Sequence, residues 1–208
     1  MRSFTIVIIA SALTGCAVGN QHPYDSETPQ FAVSGTRSVA VATQDSRPYV
    51  QSKSKSPTFV GLSRGGFGNP FDVTTGSGKP LAEDFSTTIA RSLQQKGLKS
   101  TVVSVGDPLS PVDARALVAR AGTERLALVS INEWKSDTFM STALNYDVTL
   151  RIYDANGAQL ATNRLSGEDN LGADAINPPG HAKAAVPPAY RRKLEELFAS
   201  QAVIDSLR

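Results

Sequence analysis

The 208-residue chain has one cysteine, two histidines, one tryptophan and two methionines. A lone cysteine excludes an internal disulfide framework and every multi-cysteine metal site. The two histidines, His22 and His181, show no HxxH or HExxH spacing, so no metal-ligating motif exists. An excess of one charge is missing too. The 21 basic and 19 acidic residues are interspersed and leave a net charge of +2, which gives no electrostatic footprint for nucleic acid. Phosphate-binding motifs also fail. Gly76-Ser77-Gly78-Lys79 has Val73 where a phosphate loop needs glycine and Pro80 where it needs Ser or Thr. After Gly66 and Gly68, the third glycine of a dinucleotide fingerprint is replaced by Phe71. Neither a nucleotide nor any other cofactor is expected.

What the chain does have is an address. Arg2 precedes an apolar run from Phe4 to Leu13, too short to cross a bilayer permanently, which takes about 20 residues. Leu13-Thr14-Gly15-Cys16 then has the form of a bacterial lipobox. Small residues before Cys16 let a signal peptidase approach the Gly15–Cys16 bond. The cysteine supplies the thiolate that accepts a diacylglyceryl group. Residues 1–15 are read as a signal peptide and Cys16 as the lipidation site. Acyl chains at the new N-terminus would make the membrane its first partner. Ala17 follows the cysteine rather than Asp, which by the enteric sorting rule favours the outer membrane, facing the periplasm. No second apolar run of about 18 residues occurs.

Residues 16–36 are polar, contain two prolines and show no sustained period, so they read as a flexible, lipid-anchored tether. Residues 37–208 read as a single α/β domain. Residues 37–43 alternate as a first strand. The Gly/Ser/Pro-rich stretch 49–80 holds two apolar islands, 58–62 and 70–73, read as an excursion hairpin with 63–69 at its tip. Leu81, Phe85, Ile89 and Leu93 stack at helical spacing, with Gly97 as the stop. Residues 100–105 read as a strand, and Ser110-Pro111 starts another helix. Residues 125–134, 144–153 and 158–167 read as a β-meander turning at Asp154-Ala155-Asn156-Gly157. A loop over 171–188 leads to a last helix. The order β-(hairpin excursion)-α-β-α-β-β-β-α predicts one mixed sheet of about five strands with helices packed on it.

Asp45 and Arg47, at the end of the first strand beside the mobile stretch, form the best-placed polar pair, since ligands bind at strand ends in such sheets. They serve either as a site or as a turn-capping Asp and a surface Arg. Phe59, Leu62, Phe67 and Phe71 on the excursion, and Trp134 at the end of a central strand, are candidate partner-binding residues. For Trp134, packing is the alternative.

The lipobox resembles that of exported lipoproteins generally, and the segment Val39–Arg47, the Leu81/Phe85/Ile89/Leu93 helix ending at Gly97, the alternating strand 144–152 and the end Val203-Ile204-Asp205 together resemble the YajG-like lipoprotein family. The strand–helix order is also similar to the N-terminal domain of TolB. The resemblance implies a non-catalytic envelope protein with no active-site residues to carry over. The leading expectation is a lipid-anchored periplasmic binding or assembly module, with an envelope protein or a second copy as partner. Two other readings stay open: an envelope hydrolase or glycan-acting enzyme using Asp45 with a carboxylate such as Glu168, and a homo-oligomer formed by edge-strand pairing.

Overall fold

The computed structural model describes residues 20–105 and 112–208. The lipobox, with Gly15 and Cys16, lies outside the described residues, as do Ser110 and Pro111. Eight strands form one mixed sheet: β1 (Gln21–His22), β2 (Ser38–Asp45), β3 (Phe59–Arg64), β4 (Pro70–Thr75), β5 (Lys99–Val102), β6 (Arg125–Thr138), β7 (Ser141–Asp154) and β8 (Gln159–Ala173). Among the described residues five α-helices accompany it, α1 (Pro48–Gln51), α2 (Leu81–Gln95), α3 (Ala114–Ala121), α4 (Pro178–Leu197) and α5 (Gln201–Leu207), with one 3₁₀ turn at Tyr24–Ser26.

The 14-residue strand β6 is the trunk of this sheet. β7 covers one of its sides along nearly the whole length, and β8 follows as the meander predicts. The other side is shared. β2 pairs in parallel with Val39 opposite Arg125 through Asp45 opposite Ile131. β3 then takes over, with Gly61 opposite Ser136 and Ser63 opposite Thr138. The sheet branches there: β5 continues beyond β2, while β4 and then β1 continue beyond β3. The approach of β3 to β6 needs a glycine, because a Cβ on Gly61 would fall 2.0 Å from Ser136 Oγ.

Alternation in β2 sorts its two faces as the sequence predicts. Val39 and Val41 enter the main core under α2, α4 and α5, while Ala40 and Ala42 pack beneath α3 with Leu117, Val118, Leu126 and Leu128. The centre of the main core is aromatic. Trp134 meets Tyr24, Phe85 and Tyr190 edge-on at centroid distances of 6.2, 5.2 and 5.7 Å, and its indole N–H donates to Tyr24 Oη at 3.0 Å. Such pairs add to area burial by their geometry.

Four expectations need correction. Residues 20–36 are not a free tether: β1 pairs with β4, and Tyr24, Phe31 and Val33 are buried, Phe31 stacking on Phe198 at 4.2 Å. The islands of 49–80 do form a hairpin, but β3 and β4 are sheet members and not an excursion, and Phe59, Val60 and Val73 are core residues. Removing 58–74 would therefore dismantle the sheet. The count rises to eight because β1, β3 and β4 join the five expected strands. Finally, the expected loop 171–188 holds the end of β8 and the first eleven residues of α4. Asn177 caps that helix by accepting from Gly180 N at 3.0 Å, and Pro178 and Pro179 occupy the first turn, where a missing N–H costs nothing.

Candidate functional site

The polar pair at the end of β2 is buried. Arg47 has no exposed surface, and Asp45 retains 8%. Arg47 Nε and Nη2 donate to the two carboxylate oxygens of Asp45 at 2.8 and 2.6 Å. The remaining donors reach backbone: Nη1 to Phe59 O at 2.5 Å and Trp134 O at 3.4 Å, Nη2 to Pro57 O at 3.2 Å. The position explains the pattern. Between Ile131, where β2 stops, and Ser136, where β3 starts, the edge of β6 has no strand beside it. Ser46 N closes the β2 ladder on Ile131 O at 2.8 Å, and the Arg47 fork and Tyr49 Oη supply donors to Trp134 O. Arg47 is thus a side-chain splice between two strands, neither the surface residue nor the ligand-facing group that the sequence allows. Buried carbonyls need such partners.

This pair removes the proposed acid/base chemistry at Asp45. Its carboxylate is held by a fixed cation, and Glu168 lies beyond β6 and β7. Three inter-strand spacings and a three-residue offset along β8 put them about 17 Å apart, beyond the separation of paired glycosidase carboxylates. Among the described residues no three His, Cys, Asp or Glu side chains converge to hold a metal ion.

Next to Asp45 a cleft of about 1070 Å³ opens at the C-terminal ends of β2 and β5. Thr43, Val50, Pro57, Ser86, Thr87 and Val102 are among its walls. Ser86 Oγ donates to Thr43 Oγ1 at 2.8 Å, so these hydroxyls are mutually satisfied. The cleft is ligand-sized and stands where parallel strands end. No motif could have marked it, because its walls come from four separate segments.

The candidate partner-binding residues divide. Trp134 and Phe59 are buried and cannot face a partner, a correction whose cause is the aromatic core for the one and the β3–β6 junction for the other. Leu62 is half-buried. Phe67 is fully exposed at the hairpin tip and Phe71 is 52% exposed.

Two further titratable groups are buried. His22, assigned to the tether, sits on β1 with Nε2 3.1 Å from Ser136 Oγ and Nδ1 unpartnered. Burial lowers its pKa to about 4. Asp84, at the start of α2, accepts from Ser77 Oγ at 2.7 Å, and burial raises its pKa to about 6. The two act in opposite directions. Unfolded His22 takes up a proton below about pH 6.5 and folded His22 only near pH 4, so acid costs the fold at most about 3 kcal/mol across that window. Folded Asp84 is protonated from about pH 6 downward and its unfolded counterpart only near pH 4, so acid favours the fold in nearly the same window. In Asp84→Asn the imidazole acts unopposed. Its urea midpoint, measured from pH 8 to 4, is expected to fall below pH 6.5 more steeply than that of the parent; parallel curves would refute the assignment.

No protein-family model and no curated protein sequence matches the chain. Solved structures do. A Xanthomonas campestris protein of the DUF330 family is similar at TM-score 0.54 and 12% identity, over 86% of this chain and 91% of that one. The lipoprotein GNA1162 of Neisseria meningitidis reaches TM-score 0.33 at 12% identity, over 75% and 99% of the two chains. The PelC dodecamer of Paraburkholderia phytofirmans reaches 0.38 at 13%, over 80% and 93%. At these identities likeness speaks for the fold alone, and it is the first of the three that does so: a mixed sheet with helices packed on it, shared with a DUF330 protein.

Proposed function

We propose that the protein is a lipoprotein of the bacterial envelope, carried by acyl chains on Cys16 at the periplasmic face of the outer membrane. Its domain binds another envelope component and catalyses nothing. The lipobox and Ala17 support the address. The observation that carries the binding role is the cleft beside Asp45: ligand-sized, with its carboxylate tied to Arg47 and its Ser86–Thr43 hydroxyls already paired. Such a surface offers shape, apolar contact and a charged rim of Lys53, Lys55 and Glu83, the last two already paired with Asp72 and Lys79.

A photo-reactive amino acid at Val102, which lines the cleft and is 44% exposed, tests this in intact cells. A discrete adduct is expected from position 102 and none from exposed Arg192 on α4. Thr87→Trp, which fills the cleft, should abolish the adduct. An adduct from position 102 that survives Thr87→Trp, or none at all, overturns the reading. The homo-oligomer reading has its own observation: β8 is 15 residues long and, among the described residues, pairs only with β7, so its outer edge is free to template a second strand. The same reagent at Leu160 on β8 would then join two copies of this chain.

A further inference from the structure

Seven large apolar side chains are conspicuously exposed among the described residues, and five of them lie at one end of the sheet. Phe67 and Phe71 belong to the β3–β4 hairpin, Phe139 and Met140 form the β6–β7 turn, and Ile176 follows β8. Register brings them together. Ser63 of β3 lies opposite Thr138 of β6, so the first two tips are neighbours, and Ala173 of β8 lies opposite Ser141 at the start of β7. Phe67 and Ile176 are almost wholly exposed, at 103% and 96%. Two of the charges at this end are paired, Arg64 making a two-pronged contact with Asp137 at 2.6 and 2.8 Å, while the Asp174 carboxylate is held by the backbone N–H groups of Ile176 and Asn177. A soluble monomer rarely gathers its exposed apolar groups in this way.

The start of the described chain lies near the same end. β1 runs parallel to β4, with Gln21 opposite Thr74, and Thr74 N donates to Asn20 O at 3.1 Å. Across β4 and β3, the neighbouring positions Val73 and Gly61 lead to Ser136, two residues short of the end of β6. Cys16 precedes Asn20 by four residues, a reach of at most about 14 Å. The tips are about 10 Å away along the strand direction, and the opposite end of β6, at Arg125, is about 36 Å away. An anchor at Cys16 can therefore sit beside the tips but not at the far end.

We infer that these hairpin tips are a second membrane contact: Phe67, Phe71, Phe139 and Met140 dip into the phospholipid interface on which the lipidated cysteine holds the domain. The inference rests on the lipid-anchor reading. The lipid chains prevent escape, while the tips fix the orientation, standing the sheet upright with the start of β8 directed away from the bilayer. Each apolar side chain adds a modest increment, and shallow insertion of this kind follows buried apolar area. With Arg64 and Asp137 neutralising each other, little dependence on anionic lipid is expected.

The test uses the mature lipidated protein in vesicles of phosphatidylethanolamine and phosphatidylglycerol. Its one native thiol is occupied by lipid, so an environment-sensitive dye reacts only at an introduced thiol, in Phe67→Cys, Met140→Cys or Leu160→Cys. Emission at 67 and 140 is expected to shift to the blue and to be dimmed by quenchers on the lipid chains. Emission at 160, the start of β8, should stay water-like. If the protein floats with vesicles while 67 and 140 remain water-like, the tip contact is wrong and the anchor stands. A blue shift without lipid quenching means that protein, a second copy included, covers the tips, and this also overturns the inference. If Cys16 carries no acyl mass and the protein does not float, the anchor reading fails and the tip placement falls with it.

Discussion

Arg47→Met is expected to cost the fold about 3–5 kcal/mol, the range for removing one member of a buried ion pair. A domain of this size has only about 5–15 kcal/mol in total, so the variant should be close to unfolding at neutral pH. The loss has two parts. Asp45 is left as a buried carboxylate without its cation, and the carbonyls of Phe59 and Pro57 lose the donors that Arg47 gives them. Burial works against the guanidinium charge, and the Asp45 carboxylate outweighs it, holding the arginine above its ordinary pKa. A companion variant separates the parts. In Asp45→Leu/Arg47→Met no charge is stranded, so some stability should return, but the strand splice stays broken and recovery should be incomplete. Arg64→Met, which breaks a half-exposed pair of similar geometry, is expected to change little. Urea midpoints decide the matter, and hydrogen exchange adds the location: protection should fall first in β3 and β4, whose junction with β6 the guanidinium fastens. A midpoint for Arg47→Met equal to the parent's would refute the splice.

That splice was out of reach of the sequence for a physical reason. A fully buried arginine is rare unless paired, and here the partner is only two residues away, across a turn that resembles a surface turn on paper. The gap it fills exists only because two strands distant in sequence share one side of β6. By contrast, α2 could be read directly, since Leu81, Phe85, Ile89 and Leu93 are all buried at i+4 spacing and Gly97 takes the positive φ of 90° that its role as a stop requires. The alternation of Leu144, Val148, Leu150 and Ile152 was equally clear, because a strand buried on one face writes a period of two.

Residues 20–36 failed for the opposite reason. Tyr24, Phe31 and Val33 are each buried, yet they hang from a chain with one 3₁₀ turn and a two-residue strand, so no period links them. Only the cavity between α2, α4 and the sheet gives them a common purpose, and that cavity is a tertiary fact. Pro187 and Pro188 misled in another way. Inside a helix each removes a donor, but the preceding turns are held by the Asn177 cap and by Ala182 and Val186 packed in the core. Of the site, exposure of Phe67 at the tip was legible from its glycine neighbours. The convergence of that tip with Phe139 and Met140 was not, because it depends on the parallel pairing of β3 with β6.

Cys16→Ser is expected to remove acylation altogether, and with it cleavage at the Gly15–Cys16 bond. A serine hydroxyl offers no thiolate to receive the diacylglyceryl group, and the lipid-specific peptidase acts on the modified residue. Sedimentation alone would mislead, because an uncleaved leader keeps the apolar run Phe4–Leu13 and can hold the precursor at the membrane without any acyl chain. Intact mass and incorporation of a labelled fatty acid are the decisive measurements: the parent should carry lipid and lack residues 1–15, and the variant should carry none and keep them. The energetics explain why the change should be all or none. A buried methylene contributes about 0.8 kcal/mol and a single chain binds only marginally, whereas two or more hold stably. Against that, the exposed tips offer a few partly inserted side chains, enough to orient an anchored domain but not to retain a free one. A serine variant that is still cut between positions 15 and 16, and still pellets after a carbonate wash, would show that something other than acyl chains fixes this domain in place.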